Sequence, residues 1–346
     1  MARSSFLILS CDGGGIRGLV PALLLQQLDE ELNFLSRVDL FAGTSTGGVI
    51  ATGLASQVSI DAIVDIYMTK GAEIFKPYKF LTAKPRPKVL TQLHPQAMSL
   101  PADLLHVKYS NAGLKKLISG TYPATKTLSQ LKRKVMVTTL DLFQTNRNAW
   151  VPTTLSNLPG SKTADVTVLD AALSTSAAPI YFPPHVFSRN GQKEAFADGG
   201  IFANNPSTLA AASVIASGTL KSAGLAFPDI KLLSLGTGFT LDGIPPRNLL
   251  PAIWYGILAW LSPITRQPTP QFPLIAALMD SVSDIDTFQC SQLLGNNFRR
   301  GNVQLTETIN LDDYQKVDEL KKMTEAYMAS AEWLEIKQWV GQEFVR

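Results

Sequence analysis

A nearly apolar run that stops at a cluster of glycines and then resumes with a helical period constrains this 346-residue chain most, because the pattern recurs. Phe6–Cys11 runs into Asp12-Gly13-Gly14-Gly15, and Leu19–Leu32 then has the composition and spacing of a helix. Residues 38–42 repeat the theme, followed by a glycine-bounded turn at 43–47 and an apolar helical stretch at 47–55. Strand, tight turn and helix in succession form the βα unit of a parallel sheet. The expected class is therefore α/β with a mostly parallel central sheet.

The alternation continues downstream. Residues 59–75 read as one helix, 134–142 and 148–154 as strands, 169–176 and 206–217 as helices, and Ile230–Leu235 as a buried strand ending at Gly236-Thr237-Gly238. Residues 239–297 turn helical, 302–307 read as a last strand, and 314–344 as an amphipathic helix. No internal repeat or linker-like composition interrupts the chain. The expectation is one domain over 1–346, with a core at 6–238, a helical insertion at 239–297 and a C-terminal strand and helices at 298–346.

Composition removes several function classes. At 45% hydrophobic residues the chain can bury a large core and is not a disordered segment. A net charge of +3 does not mark a nucleic-acid binder. Two cysteines and three histidines leave no disulfide framework and no cysteine-built metal centre, which fits a reducing compartment. The apolar run at 6–11 is too short for an export signal, so a cytoplasmic location is expected.

Two glycine turns carry chemistry. Gly13, Gly14 and Gly15, between a strand and a helix, let backbone N–H groups approach an anion, with the helix N-terminus adding its partial positive charge. That anion is either a ligand phosphate or the oxyanion of an acyl-transfer intermediate. Gly13, Gly15 and Gly18 also satisfy the dinucleotide spacing, but the acid such a site needs, Asp39, stands at the wrong end of its strand. The second turn, Gly43-Thr44-Ser45-Thr46-Gly47, is a nucleophile elbow in which the flanking glycines permit the sharp turn that lifts a serine hydroxyl out of the backbone.

A nucleophilic serine needs a base. His94 and His106 fall in a proline-rich basic region, and an arrangement of Ser45, Asp170 and His185 is formally allowed by chain order. Asp198, followed by Gly199 and Gly200 at a strand end, is the carboxylate alternative, its glycines leaving room for close approach. An ordinary aspartate near pKa 4 is a feeble base for serine. Catalysis through Asp198 must then lean on positioning and on the anion cradle.

D-G-G-G-I-R-G, G-T-S-T-G and D-G-G in this order, with the flanking stretches AALSTSAAPIYFPP and DGGIFANNP, resemble the signature of the patatin-like phospholipases over residues 6–238. The resemblance implies a three-layer α/β/α fold, a Ser45–Asp198 dyad, an oxyanion hole from Gly13, Gly14, Gly15 and Arg17, and no metal or cofactor. It also implies hydrolysis of fatty-acyl esters of phospholipids or galactolipids through an acyl-enzyme. Compact bacterial members that act as cyclic-nucleotide-activated effectors in antiviral defence supply an alternative. A non-catalytic ligand-sensing scaffold is another, against which the intact Ser45 and Asp198 speak.

A lipid substrate sits in an interface, and two segments suit one. Residues 248–265 are uncharged and carry Trp254, Tyr255 and Trp260; with Pro251 and Pro263 near the ends they barely reach spanning length, and a core or interfacial helix is expected over a membrane span. The acid-free stretch 74–102 holds Lys76, Lys79, Lys84, Arg86 and Lys88, candidates for headgroup or nucleotide phosphates. Peripheral membrane contact is expected, with core packing or a homo-oligomer contact as the alternative for the aromatic segment.

Overall fold

A computed structural model of the chain describes residues 5–77, 107–144, 147–241, 260–261, 269 and 271–345. Its sheet is built from β1 (Phe6–Cys11), β2 (Leu40–Thr44), β3 (Lys134–Gln144), β4 (Ala149–Ser156), β5 (His185–Arg189), β6 (Gln192–Asp198), β7 (Ile230–Leu235) and β8 (Phe298–Gly301). The order across the sheet is β5-β6-β3-β2-β1-β7-β8, with β4 also paired to β3. The run from β3 to β8 is parallel, and β4, β5 and β6 add antiparallel pairings at one side.

Both faces of the parallel strands are buried, which is why they read as continuous apolar runs. Leu7, Leu9 and Cys11 of β1 and Phe41 of β2 join one core, while Phe6, Ile8, Leu40 and Ala42 join a second. The first core is covered by α1 (Leu19–Leu32), α2 (Thr46–Ala55), α3 (Ile60–Thr69), α6 (Val168–Thr175) and α12 (Ala331–Glu343). The second is covered by α8 (Ser207–Ala216) and α10 (Pro273–Leu294). The result is the three-layer α/β/α arrangement. The remaining helices are α4 (Gly71–Ile74), α5 (Ala112–Thr121), α7 (Gly200–Ala203), α9 (Thr219–Ser222) and α11 (Val317–Met328).

Several elements depart from expectation for identifiable reasons. The helix expected at 59–75 is divided at Lys70, and Gly71 then packs so closely on Tyr314 that a side chain there would strike it. The last strand is not 302–307 but Phe298–Gly301, parallel to β7, and Gln304 makes only an isolated bridge to Phe239. The helix expected at 314–344 breaks in two because Ser330 caps a new one, accepting a hydrogen bond from the Trp333 N–H at 3.2 Å. Within 239–297, α10 is helical as expected. Trp254 and Tyr255 lie outside the described residues, whereas Trp260 is described and partly exposed. Among the described residues no helix is long and apolar enough to cross a membrane.

Candidate active site

The carboxyl ends of β1, β2 and β6 bring the three glycine motifs together. After β2 the chain reverses at Ser45, whose backbone is held at φ 54° and ψ −122°, a conformation strained for a residue with a side chain. The flanking glycines are sterically required, since a Cβ on Gly43 would strike the Gly47 carbonyl and one on Gly47 the Cys11 carbonyl. The Ser45 N–H donates to Thr175 Oγ1 at 2.9 Å, so α6 braces the elbow from outside the motif.

Asp198 ends β6, its N–H donating to the Ala177 carbonyl at 3.0 Å. Its Oδ1 accepts from the Gly200 N–H at 2.8 Å, and its Oδ2 is buried without a hydrogen bond. Gly199 passes so close to Thr138 that no side chain fits there. Burial lifts the Asp198 carboxyl from its ordinary value to about 7, against the weaker pull of the nearby Ser45 hydroxyl and the Gly200 N–H. Ser45 and Asp198 line one pocket enclosing about 920 Å³ of space, part of it open to solvent. Its walls are largely apolar, with Val49, Ile66, Phe75, Leu114, Phe182 and Ile275 among them.

The glycine loop between β1 and α1 also reaches this pocket. Its amides divide by use: the Gly13 N–H donates to the Asn204 carbonyl at 3.0 Å and the Ile16 N–H to the Leu311 carbonyl at 2.8 Å. Gly14 and Gly15 keep N–H groups with no partner among the described residues. Gly13, expected as a third donor, is thus committed to holding the loop. Gly15 has φ 59°, and a Cβ there would meet the Leu311 carbonyl. Thr237 Oγ1 donates to the Gly13 carbonyl at 2.8 Å, so the turn after β7 fixes the same loop. Arg17 lies at the loop's far end, its Nε buried without a hydrogen bond and its side chain lining a second pocket with Gln271, Thr308 and Asn310.

Sequence reasoning missed Arg300, on β8. It grips Asp12 with two hydrogen bonds, Nη2 to Oδ2 at 2.6 Å and Nη1 to Oδ1 at 3.2 Å, and also reaches Ser234 Oγ at 2.8 Å. It missed Asn204 and Thr175 as well, although Asn204 stands in the DGGIFANNP stretch.

The histidine alternative is assembled elsewhere. His185 Nε2 lies 2.8 Å from Asp170 Oδ1, and neither residue lines the pocket of Ser45. Burial alone would raise the Asp170 carboxyl, but hydrogen bonds from His185 and Thr167 outweigh it and leave it below the ordinary range. Asp39, the acid a dinucleotide would need, instead accepts from the Leu7 N–H at 2.8 Å, at the opposite end of β1 from the glycine loop. His94, His106, Lys79, Lys84, Arg86 and Lys88 lie outside the described residues, and Lys76 is exposed.

An α/β/α protein with a strained serine at a strand–helix elbow, beside a buried carboxyl and two free amides, has the architecture of a serine acyl hydrolase. Residues 9–211 match the model of the family described as Patatin-like phospholipase. Patatin-like protein 2 of Arabidopsis thaliana is 32% identical over 314 residues, covering 82% of this chain and 71% of the relative. A Pseudomonas aeruginosa protein named cGAMP-activated phospholipase is 29% identical over 304 residues, covering 85% and 77% of the two chains. Among solved structures, VipD from Legionella pneumophila aligns with 94% of this chain and 67% of its own, at 14% identity and a TM-score of 0.41. The chain belongs to the patatin-like phospholipase family, whose members are lipid acyl hydrolases of the serine esterase type.

Proposed function

We propose that this protein cleaves fatty-acyl esters of membrane glycerolipids as a phospholipase of the A type, using Ser45 as nucleophile and Asp198 as base. One observation carries the reading: a serine forced to φ 54° and a buried carboxyl raised to about 7 share a single apolar pocket. At that value the carboxyl is a far better acceptor for a serine proton near neutral pH than an ordinary aspartate.

As Ser45 Oγ attacks the ester carbonyl carbon, its proton passes to Asp198. The N–H groups of Gly14 and Gly15 meet the developing oxyanion, each such donor typically being worth about 10² to 10³ in rate. The lysolipid leaves with the Asp198 proton, and the acyl group stays on Ser45 until water removes it. The apolar walls suit an acyl chain. Incubation with a fluorophosphonate ester tests the nucleophile: wild type should gain one adduct by intact mass and Ser45→Ala none, and an unmodified wild type would sink the assignment.

Activation by a cyclic nucleotide rests on the relatives named for cGAMP activation, such as the Pseudomonas protein. Its test is ester hydrolysis with and without cGAMP, a rate independent of the nucleotide arguing for constitutive activity. Peripheral membrane contact is read from the substrate class and is tested by sedimentation with anionic vesicles at low and high salt.

A further inference from the structure

Two acceptors in the site are buried without a hydrogen bond, Asp198 Oδ2 and Asn204 Oδ1, on residues only 3% and 4% exposed. Asp198 and Gly200 line the pocket, and Asn204 Oδ1 comes up beside Gly200. The position a Cβ on Gly200 would take lies 3.2 Å from Asp198 Oδ1 and 3.3 Å from Asn204 Oδ1, and a Cβ on Gly13 would contact both the Asn204 side chain and Ser45 Cβ. The orientation of the Asn204 amide is set by its neighbours. Nδ2 faces the Gly13 carbonyl at 3.4 Å and donates to Ser283 Oγ at 3.1 Å, and turning the amide over would set two acceptors against each other. Oδ1 is therefore presented to the corner where Ser45, Asp198 and Gly200 meet.

We infer that Asn204 holds the hydrolytic water of the deacylation step, an inference that rests on the acyl-enzyme reading above. Water has two protons to donate, and this corner offers one acceptor that takes part in the chemistry and one that does not. Donating one O–H to Asp198 and the other to Asn204 Oδ1 aims the oxygen lone pair at the acyl carbonyl on Ser45. The water oxygen then bonds to the carbonyl carbon, its first proton passes to Asp198, and the carbonyl electron pair moves to the oxygen facing Gly14 and Gly15. Collapse of that intermediate breaks the carbon–Ser45 Oγ bond, returns the Asp198 proton to Oγ and releases the fatty acid. A side chain on Gly200 would press on both Asp198 Oδ1 and Asn204 Oδ1 and so crowd this water.

Methanol separates this role from a structural one. It has a single O–H, which it can give to Asp198, and so gains nothing from Asn204. With a short-chain ester in dilute methanol, Asn204→Leu, which keeps the bulk but lacks the acceptor, should raise the ratio of methyl ester to free acid by about fivefold or more, the worth of one hydrogen bond. Should Asn204→Leu fail to fold, Gly200→Ala serves, because its backbone conformation is open to alanine. Its methyl group should make the acyl–Ser45 species accumulate, visible by intact mass, as deacylation slows more than acylation. A product ratio within twofold of wild type, or acylation and deacylation slowed together in Gly200→Ala, overturns the assignment. Wild type that yields neither product from the ester overturns the acyl-hydrolase reading itself and this inference with it.

Discussion

Asp12 and Asp198 look interchangeable in the sequence. Asp12 follows β1 and Asp198 ends β6, each is followed directly by glycines, and they are 2% and 3% exposed. What separates them is the cationic surroundings of Asp12, with Arg300 in direct contact and Arg17 adding its charge. Burial raises both carboxyls, but Arg300 opposes it at Asp12 with two hydrogen bonds, whereas Asp198 has the Gly200 N–H and the Ser45 hydroxyl and no cation to pull it back. The first carboxylate becomes an anchor for the glycine loop, the second a group that titrates near neutrality. The same local motif is turned to structure or to chemistry by what the next strand brings beside it.

The sharpest way to break this contrast is to remove the titrating member. Asp198→Asn and Ser45→Ala should each lower short-chain esterase turnover by about 10⁴-fold or more, and the double variant should be little worse, as expected of a proposed dyad whose members act as a unit. Steady-state rates on a soluble ester measure this, and an Asp198→Asn enzyme with near-native turnover ends the comparison.

The pH dependence sharpens it further. Asp198 is raised from its ordinary 3.8 to about 7, so its folded state holds the proton more tightly than the unfolded chain. Its contribution to stability is full below pH 4 and lost as pH rises through 7. Activity needs the ionised form and should rise through the same interval. Asp198→Asn should accordingly melt higher than wild type at pH 8 and no higher at pH 4, as thermal melts at the two values would show.

The amides come next. Gly14→Ala places a methyl group against Thr237 and should cut the acylation rate by about 10² while changing KM little, since the lost interaction belongs to the transition state. A rise in KM with kcat intact would instead make the loop a substrate-binding cradle.

Arg300→Met tests the anchoring member. Leaving Asp12 buried and unpaired should cost about 3–5 kcal/mol of stability, read from denaturant midpoints, with activity falling through the displaced loop. Asp12→Asn combined with Arg300→Met should recover part of that loss, and failure to recover would mean that Arg300 acts through Ser234 instead. The smallest effect belongs to His185→Gln, which should leave turnover within about twofold of wild type and lower the melting temperature slightly, because its partner Asp170 is part of a helix cap.

Much of this arrangement was legible in the sequence where the signal is local. Apolar runs ending in glycine placed β1, β2 and β7, and the glycine spacing around Ser45 marked the elbow, because a turn that tight leaves few residues to choose from. The β5–β6 hairpin was overlooked although Asn190-Gly191, both at positive φ, is a recognised hairpin signal. β8 was hidden by its composition. Phe298-Arg299-Arg300-Gly301 does not read as a buried strand, since Arg300 is there to meet a carboxylate 288 residues away. Thr175 and Asn204 escaped for the same reason: nothing in the chain near them announces which backbone group they will hold.

Arg300 also imposes an order in time. As the ribosome extends the chain, Ser45 and Asp198 both emerge before β8, and the ion pair that holds the glycine loop waits for that later strand. A growing chain thus carries the proposed nucleophile and base while the ion pair that steadies the proposed oxyanion donors is still missing. In refolding, that late closure predicts that hydrolysis returns after the bulk of the secondary structure.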